Sequence, residues 1–231
     1  RLPLLLASIK RQTYTPYEVI VADAWSSDGT RGCALDAGAK VVDGGLPGPG
    51  RNRGAAVAKG DLIVFFDADV VLPGTNYLAE CMQDLSARRL DVGTSRLYAF
   101  DGTRFDHVLH SLYNGYVVMT ARVLAHAPGF CLFVRRNVHE RIRGFDEEVI
   151  FAEDMDYVRR AVAQGYRFGV LHGQKIHVSA RRLRKEGRMT LLAKYVYAEG
   201  YLLLKGPFKG KMPFRYEFEH KEDKEGVHSR K

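Results

Sequence analysis

The sequence predicts an α/β fold, a mostly parallel sheet flanked by helices, followed by a basic amphipathic helical segment. Three observations carry this. Apolar runs of strand length alternate with segments that are apolar at helical spacing, the rhythm of right-handed crossover units. Two of those runs, Glu18-Val19-Ile20-Val21-Ala22 and Leu62-Ile63-Val64-Phe65-Phe66, stop at carboxylates, Asp23 and Asp67-Ala68-Asp69. Nine basic side chains crowd residues 181 to 211 against only Glu186 and Glu199, while the body before them is nearly neutral in a chain of net charge +8.

The elements follow in order. Leu2 to Arg11 is apolar at helical spacing and reads as a helix. The run from Glu18 is a strand ending at Asp23, and Asp28-Gly29-Thr30 is a turn and cap opening the next helix. Lys40-Val41-Val42 is a short strand. The stretch Gly44 to Gly50, rich in glycine and proline, is expected to be a flexible loop without regular structure. Arg51 to Lys59 is an alanine-rich helix. The uninterrupted apolar run Leu62 to Phe66 reads as a fully buried parallel strand. Its carboxylates mark the carboxyl edge, where open α/β sheets bind ligands. On an extended segment Asp67 and Asp69 point to one side. Together they could grip one hard divalent cation and leave coordination positions for phosphate oxygens. The alternative is a turn or helix-capping pair before Leu72-Pro73-Gly74.

The second half is less regular. Gly93 to Phe100 is expected to add one strand. Val108 to Ala125 carries Val108, Leu109, Leu112, Tyr113, Tyr116 and Val117 at amphipathic spacing, so a helix is expected there. Gly129 to Val134 is a buried strand. Ile150-Phe151-Ala152 leads into Glu153-Asp154 and a helix through Arg159 and Ala163. Phe168 to Leu171 is a last core strand. Met212, Phe214, Tyr216 and Phe218 alternate with period two, as in a strand, and His220 to Lys231 is a polar tail. The divisions are a body of residues 1–180, a basic helical segment of residues 181–211, and a C-terminal strand and tail of residues 212–231.

Composition bounds the partners. With 46% hydrophobic and 27% charged residues the chain is an ordinary globular protein. Cys33, Cys81 and Cys131 share no metal-ligand spacing and cannot all pair, which points to a reducing, cytoplasmic compartment. No apolar stretch reaches spanning length, and no signal peptide is evident. The basic segment suggests an anionic partner: phosphate groups, a lipid surface or nucleic acid. Its aromatics are not interleaved with the basic residues as on a stacking platform, so nucleic acid is not expected. Leu191, Leu192, Tyr195, Val196, Leu202 and Leu203 form a stripe flanked by Lys194, Lys205, Lys209 and Lys211. That suits a helix lying in a membrane interface, or one packed on the sheet with its lysines in water.

These motifs, with Ser26-Ser27-Asp28-Gly29-Thr30, Gly50-Arg51-Asn52-Arg53-Gly54, Gly144-Phe145-Asp146-Glu147 and Ser179-Ala180-Arg181-Arg182, stand in an order that resembles one family. From about Leu2 to about Arg188 the chain resembles the family 2 glycosyltransferases of GT-A, Rossmann-like fold. The resemblance implies that residues 1–180 are a catalytic domain. It implies an inverting, metal-dependent transfer of a hexose such as mannose or glucose, from a GDP- or UDP-sugar to a lipid-linked or glycan acceptor. A manganese or magnesium ion and a peripheral seat at the cytoplasmic face of the membrane go with it. Residue by residue, it implies that Asp23 bonds the donor's base and Arg51 helps hold the nucleotide. Asp67 lies near ribose and metal, Asp69 ligates the metal, and His177 is a further metal ligand. Arg181 and Arg182, or Arg184, neutralise the diphosphate, and Asp154 is the catalytic base. The last role competes with helix capping, since Glu153 and Asp154 are adjacent and acidic groups favour first turns.

Other readings stay open. A phosphate acceptor such as a polyprenyl phosphate is already ionised and needs no base. A nucleotidyltransferase could use the same strand-end aspartates, and a non-catalytic nucleic-acid-binding module could use the basic segment. Two departures from the family pattern stand out. The family's first strand and nucleotide-cradling loop precede the helix matched by Leu2 to Arg11, so a strand upstream of Arg1 is expected and the sheet here lacks a central member. Ala24 replaces the usual second aspartate, and Trp25 is either a wall for the base or part of the core.

Overall fold

A computed structural model describes residues 1–121 and 124–209. Lys211, the strand expected from Met212 to Phe218 and the tail lie outside the described residues. Helix α1 (Leu2–Lys10) leads to strand β1 (Ile20–Asp23), α2 (Thr30–Asp36) and β2 (Lys40–Asp43). Then come α3 (Pro47–Val57), β3 (Leu62–Phe66), β4 (Val70–Val71), α4 (Tyr77–Ala87), β5 (Val92–Thr94), β6 (Leu97–Ala99) and α5 (Arg104–Thr120). The second half adds β7 (Cys131–Arg135), α6 (Arg136–Arg141), β8 (Val149–Phe151), α7 (Glu153–Ala163), β9 (Phe168–Val170) and β10 (Ile176–Val178). The basic segment forms α8 (Arg181–Glu186), α9 (Arg188–Lys205) and β11 (Phe208–Lys209).

The α/β class is as expected, but strand direction is mixed. The central sheet runs β3-β7-β5-β9, with β7 antiparallel to both β3 and β5 and only β5-β9 parallel. The Leu62 strand is therefore not a parallel strand. An unbroken apolar run reports that both faces are covered, and an antiparallel strand between two helix layers satisfies that equally well. One layer packs α1 and α4, through Leu5, Leu6, Tyr77 and Leu85, beside Phe133. The other packs α6 and α7, through Val138, Tyr157 and Val158, beside Phe65 and Val134. A separate parallel pair, β1-β2, carries Asp23 at its end. Among the described residues β1 pairs only with β2 and β3 only with β7. Both strands line one cleft of about 2430 Å³.

Three further expectations are corrected. The Gly44–Gly50 stretch is not all loop: Pro47-Gly48-Pro49-Gly50 is the first turn of α3. Proline is tolerated there because the first-turn N–H groups have no intrahelical partner to lose. The expected strand Gly93 to Phe100 breaks at Ser95-Arg96 into β5 and β6, which join different sheets. Buried Ser95 marks the corner, bonding Tyr77 at 2.6 Å. Helix α5 starts and ends earlier than expected, and much of its apolar stripe is turned away from the core. Its buried residues are Asp106, Asn114 and Val117, whereas Val108, Leu112 and Tyr116 are exposed. An ion pair at 2.6 Å between half-buried Arg188 and buried Asp106, and an Asn114 clamp on the Leu97 backbone, orient the helix instead.

Candidate active site

Three elements bring carboxylates to the cleft: the ends of β1 and β3 supply Asp23, Asp67 and Asp69, and the start of α7 supplies Glu153 and Asp154. Asp23 is buried and accepts the Ser26 N–H at 3.1 Å, with Arg31 Nη1 at 3.6 Å. Trp25 follows in a left-handed backbone conformation and is 66% exposed, so it is not a core residue, and it does not line the cleft.

Asp67 and Asp69 do not lie on an extended segment. The Val70 N–H donates to the Asp67 carbonyl at 3.3 Å and closes a turn. Both carboxylates nonetheless open onto the cleft, 41% and 43% exposed. Asp67 has its pKa raised: enclosure by the cleft walls favours the neutral acid, Arg51 opposes this, and Asp69 adds like charge. Among the described residues no group of three or more His, Cys, Asp or Glu could enclose a metal. Two hard oxygen donors on a turn still fit magnesium or manganese, which keep several positions for phosphate oxygens and water.

Arg51 is the hub of the site. From α3 its Nη1 donates to Glu153 Oε1 at 2.6 Å, and its Nη2 donates to Asp67 Oδ1 at 2.9 Å and to the Gly129 carbonyl at 3.1 Å. The guanidinium also lies 5.3 Å from the centre of the Phe145 ring. Burial works against its charge, but Asp67, Glu153 and Asp154 outweigh burial and raise its pKa. Both ends of the fork are taken by protein acceptors, so the structure makes Arg51 an organiser of carboxylates. The nucleotide contact implied by resemblance is not what its geometry offers.

Glu153 and Asp154 diverge. Glu153 is held by Arg51, whereas Asp154 Oδ1 accepts the Met155 N–H at 2.9 Å. Burial raises the Asp154 pKa to about 7, Glu153 adds to the rise, and Arg51 opposes it. A helix N-terminus favours a carboxylate by up to ~2 kcal/mol, but here desolvation wins. Gly129 packs against this acid. A Cβ there would sit 2.8 Å from Asp154 Oδ2 and 3.1 Å from Arg51 Nη2. Nothing in the local sequence singles out Gly129, because the need arises from a carboxylate on a distant helix.

The basic residues divide. Arg181 and Arg182 line the cleft. Arg184 does not; both its guanidinium ends bond Asp101 at 2.8 Å. His177 is not brought to the aspartates either. It lies with Pro73, Tyr98, Gln174 and Lys175 at a separate pocket, 5.3 Å from the Tyr98 ring, while Val178 and Ser179 line the cleft. Side chains alternate along a strand, and β10 turns His177 to the other face. The sequence reading missed one further group on the cleft wall. Buried His126 bonds the Tyr113 hydroxyl at 2.7 Å and Glu199 at 3.2 Å, and Arg159 holds Glu199.

The Glycosyl transferase family 2 model matches residues 1–143, more than half of the chain. The chain belongs to glycosyl transferase family 2. The match ends before Asp154 and the arginines of α8. Among curated relatives, the O-antigen chain rhamnosyltransferase RfbN of Salmonella typhimurium is 26% identical over 71% of this chain and 58% of its own. The O-antigen chain rhamnosyltransferase WbaN of Salmonella anatum is 25% identical over 69% and 56%. The chain thus spans a little over half the length of these relatives. Among solved structures, the mannosyltransferase PcManGT of Pyrobaculum calidifontis, in complex with GDP-Man and Mn2+, superposes with a TM-score of 0.65 at 22% identity. It covers 89% of this chain and 68% of that one. Glucosyl-3-phosphoglycerate synthase of Mycobacterium tuberculosis, with Mn2+, UDP and phosphoglyceric acid, gives 0.60 at 16%, covering 86% and 72%. These likenesses show the GT-A fold.

Proposed function

We propose that this chain is an inverting, metal-dependent hexosyltransferase. It moves a sugar from a nucleoside diphosphate to a hydroxyl of a lipid-linked or glycan acceptor, seated peripherally at the cytoplasmic face of a membrane. The observation that carries the reading is Asp154, an acid with its pKa raised to about 7, opening onto the cleft that Asp67 and Asp69 also face. A base near the working pH combines the required ionised state with a real appetite for protons. A hydroxyl acceptor needs such a group, whereas an ionised phosphate acceptor does not, so Asp154 favours the hydroxyl.

In the step so read, the acceptor oxygen forms its bond to the anomeric carbon from the face opposite the diphosphate. The bond from that carbon to the diphosphate oxygen breaks, and its electron pair leaves with the nucleoside diphosphate. Asp154 takes the acceptor's proton. Arg181 and Arg182 stand on the cleft where a diphosphate would gain charge, and guanidinium forks suit its oxygens. A manganese or magnesium ion held by Asp67 and Asp69 would supply further charge against the diphosphate. Asp23, buried at the end of β1, is placed to accept from the donor's base. Mannosyl, glucosyl and rhamnosyl relatives support a hexose donor, and the O-antigen relatives support a glycan acceptor.

Asp154→Asn separates the roles. With a panel of GDP- and UDP-sugars, the variant should bind donor as the wild type does while transfer to hydroxyl acceptors falls by about 10²–10⁴. Transfer kept near the wild-type rate, or lost together with donor binding, would show that the base has been assigned to the wrong residue.

A further inference from the structure

Helices α5 and α9 run in the same direction beside the cleft and are bridged by side chains. Arg188 at the start of α9 pairs with Asp106 at the start of α5, and further along Tyr113 of α5 is joined through His126 to Glu199 of α9. Each helix is about 25 Å long. Their outer faces share an unusual property. From Phe105 to Met119 on α5, and from Met189 to Leu204 on α9, no exposed position carries a charge. Val108, Leu112 and Met119 face outward on the first, with Met189, Val196 and Leu204 on the second. Apolar faces of this extent on two helices that flank one cleft mark an interaction site. The two faces meet at the cleft. Leu112 of α5 and Val196 of α9 are 67% and 65% exposed, yet both line its mouth.

Charge decides the occupant. Exposed Arg104 opens α5 and exposed Lys205 ends α9, and residues 181 to 209 hold eight basic side chains, of which Arg184, Arg188 and Lys209 are paired with Asp101, Asp106 and Asp146 from outside the segment. A second copy docking through the same faces would bring two like-charged rims together. An anionic bilayer meets an apolar face and a cationic rim at once. No helix among the described residues is long and apolar enough to cross a membrane. The pair therefore fits in the plane of the interface.

We propose that α5 and α9 together form a platform that docks on an anionic lipid surface and turns the mouth of the cleft toward it. The proposal takes from the reading above that the cleft is the site of transfer, while docking is measured without substrate, so either can fail alone. Helix α5 is half of the platform, although it lies outside the basic segment.

The test is sedimentation of the full chain with vesicles of equal parts phosphatidylglycerol and phosphatidylcholine. Wild type is compared with Val108→Glu/Met119→Glu on α5 and Met189→Glu/Leu204→Glu on α9. These four side chains are exposed and none lines the cleft, so the thermal midpoint and nucleotide binding serve as controls for folding. Each pair of substitutions should weaken vesicle binding at least about tenfold with both controls unchanged. Pure phosphatidylcholine should bind wild type more weakly, by about fivefold for each cation engaged. No binding to the anionic vesicles, or binding that survives the α5 pair, overturns the platform. A dimer in solution that the same substitutions dissociate, without vesicle binding, also overturns it and assigns the face to a second copy.

Discussion

Asp154 is a carboxylic acid that its surroundings hold neutral until near pH 7. Burial contributes most, the neighbouring Glu153 adds like charge, and Arg51 works in the other direction. The folded state therefore keeps a proton that the unfolded chain releases near the ordinary value of 3.8. Stability should decline as pH rises between that value and about 7, while the ionised base becomes available over the same rise. The transfer rate is accordingly expected to climb with pH to a plateau above about 7. Glu153→Gln removes the adjacent like charge while Arg51 still acts on Asp154, so the rising limb of kcat/KM should move to lower pH. A limb that stays in place would belong to another group. Gly129 sets the position of the same carboxylate. Gly129→Ala would place a methyl 2.8 Å from Asp154 Oδ2 and displace either the acid or Arg51. A misplacement of that size costs about 10²-fold in turnover, measured as kcat, with donor affinity little changed. The aspartates were legible in the sequence because a carboxylate at the end of an apolar run has few structural uses. Gly129 and the Arg51 hub were not, since each is defined by partners remote in sequence: Gly129 by Asp154 and Arg51, and Arg51 by Glu153.

At the scale of elements, α3 is tied to the loop before β8 by one side chain. Asn52 donates to the Phe145 carbonyl at 2.9 Å and accepts the Phe145 N–H at 2.8 Å, clamping the turn where Gly144 adopts φ +67. Phe145 in turn stacks on Tyr157 of α7, at 4.2 Å between ring centres. The clamp thus positions the helix that carries Asp154. Asn52→Ala leaves two backbone groups unpaired and should cost about 2 kcal/mol, read from urea unfolding, with faster amide exchange in residues 144–148. Local patterns located most elements but not their facing. The stripe on α5 marks a helix, yet of its residues Val117 alone is buried, and Asp106 and Asn114 join it because each finds its partner inside. Likewise β10 was absent from the sequence reading. A strand of three residues beside histidines and glycine carries too little periodicity, so the side on which His177 projects could not be foreseen. The first turn of α3 was hidden by the same local chemistry that usually marks a loop.

At the scale of the whole molecule, separate parts of the chain converge on one cleft. A two-stranded pair delivers Asp23, the central sheet delivers Asp67 and Asp69, α7 delivers Asp154, and α8 closes the rim with Arg181 and Arg182. The α/β class was legible because alternating elements admit few layer arrangements. Strand direction was not, because apolarity reports burial and carries no sense of direction. The net charge of +8 is gathered late in the sequence, beside the cleft that would receive a diphosphate. On the proposed reading, a divalent ion held on the β3 turn would be the centre of donor binding, without His177. The most direct test is calorimetric titration of GDP and UDP, with and without Mn2+, into wild type, Asp69→Asn and His177→Ala. Wild type and His177→Ala should bind one nucleotide tightly only with Mn2+ present, and Asp69→Asn should lose at least about tenfold of that affinity. Equal, metal-dependent binding by Asp69→Asn, or loss of it in His177→Ala alone, would contradict the account.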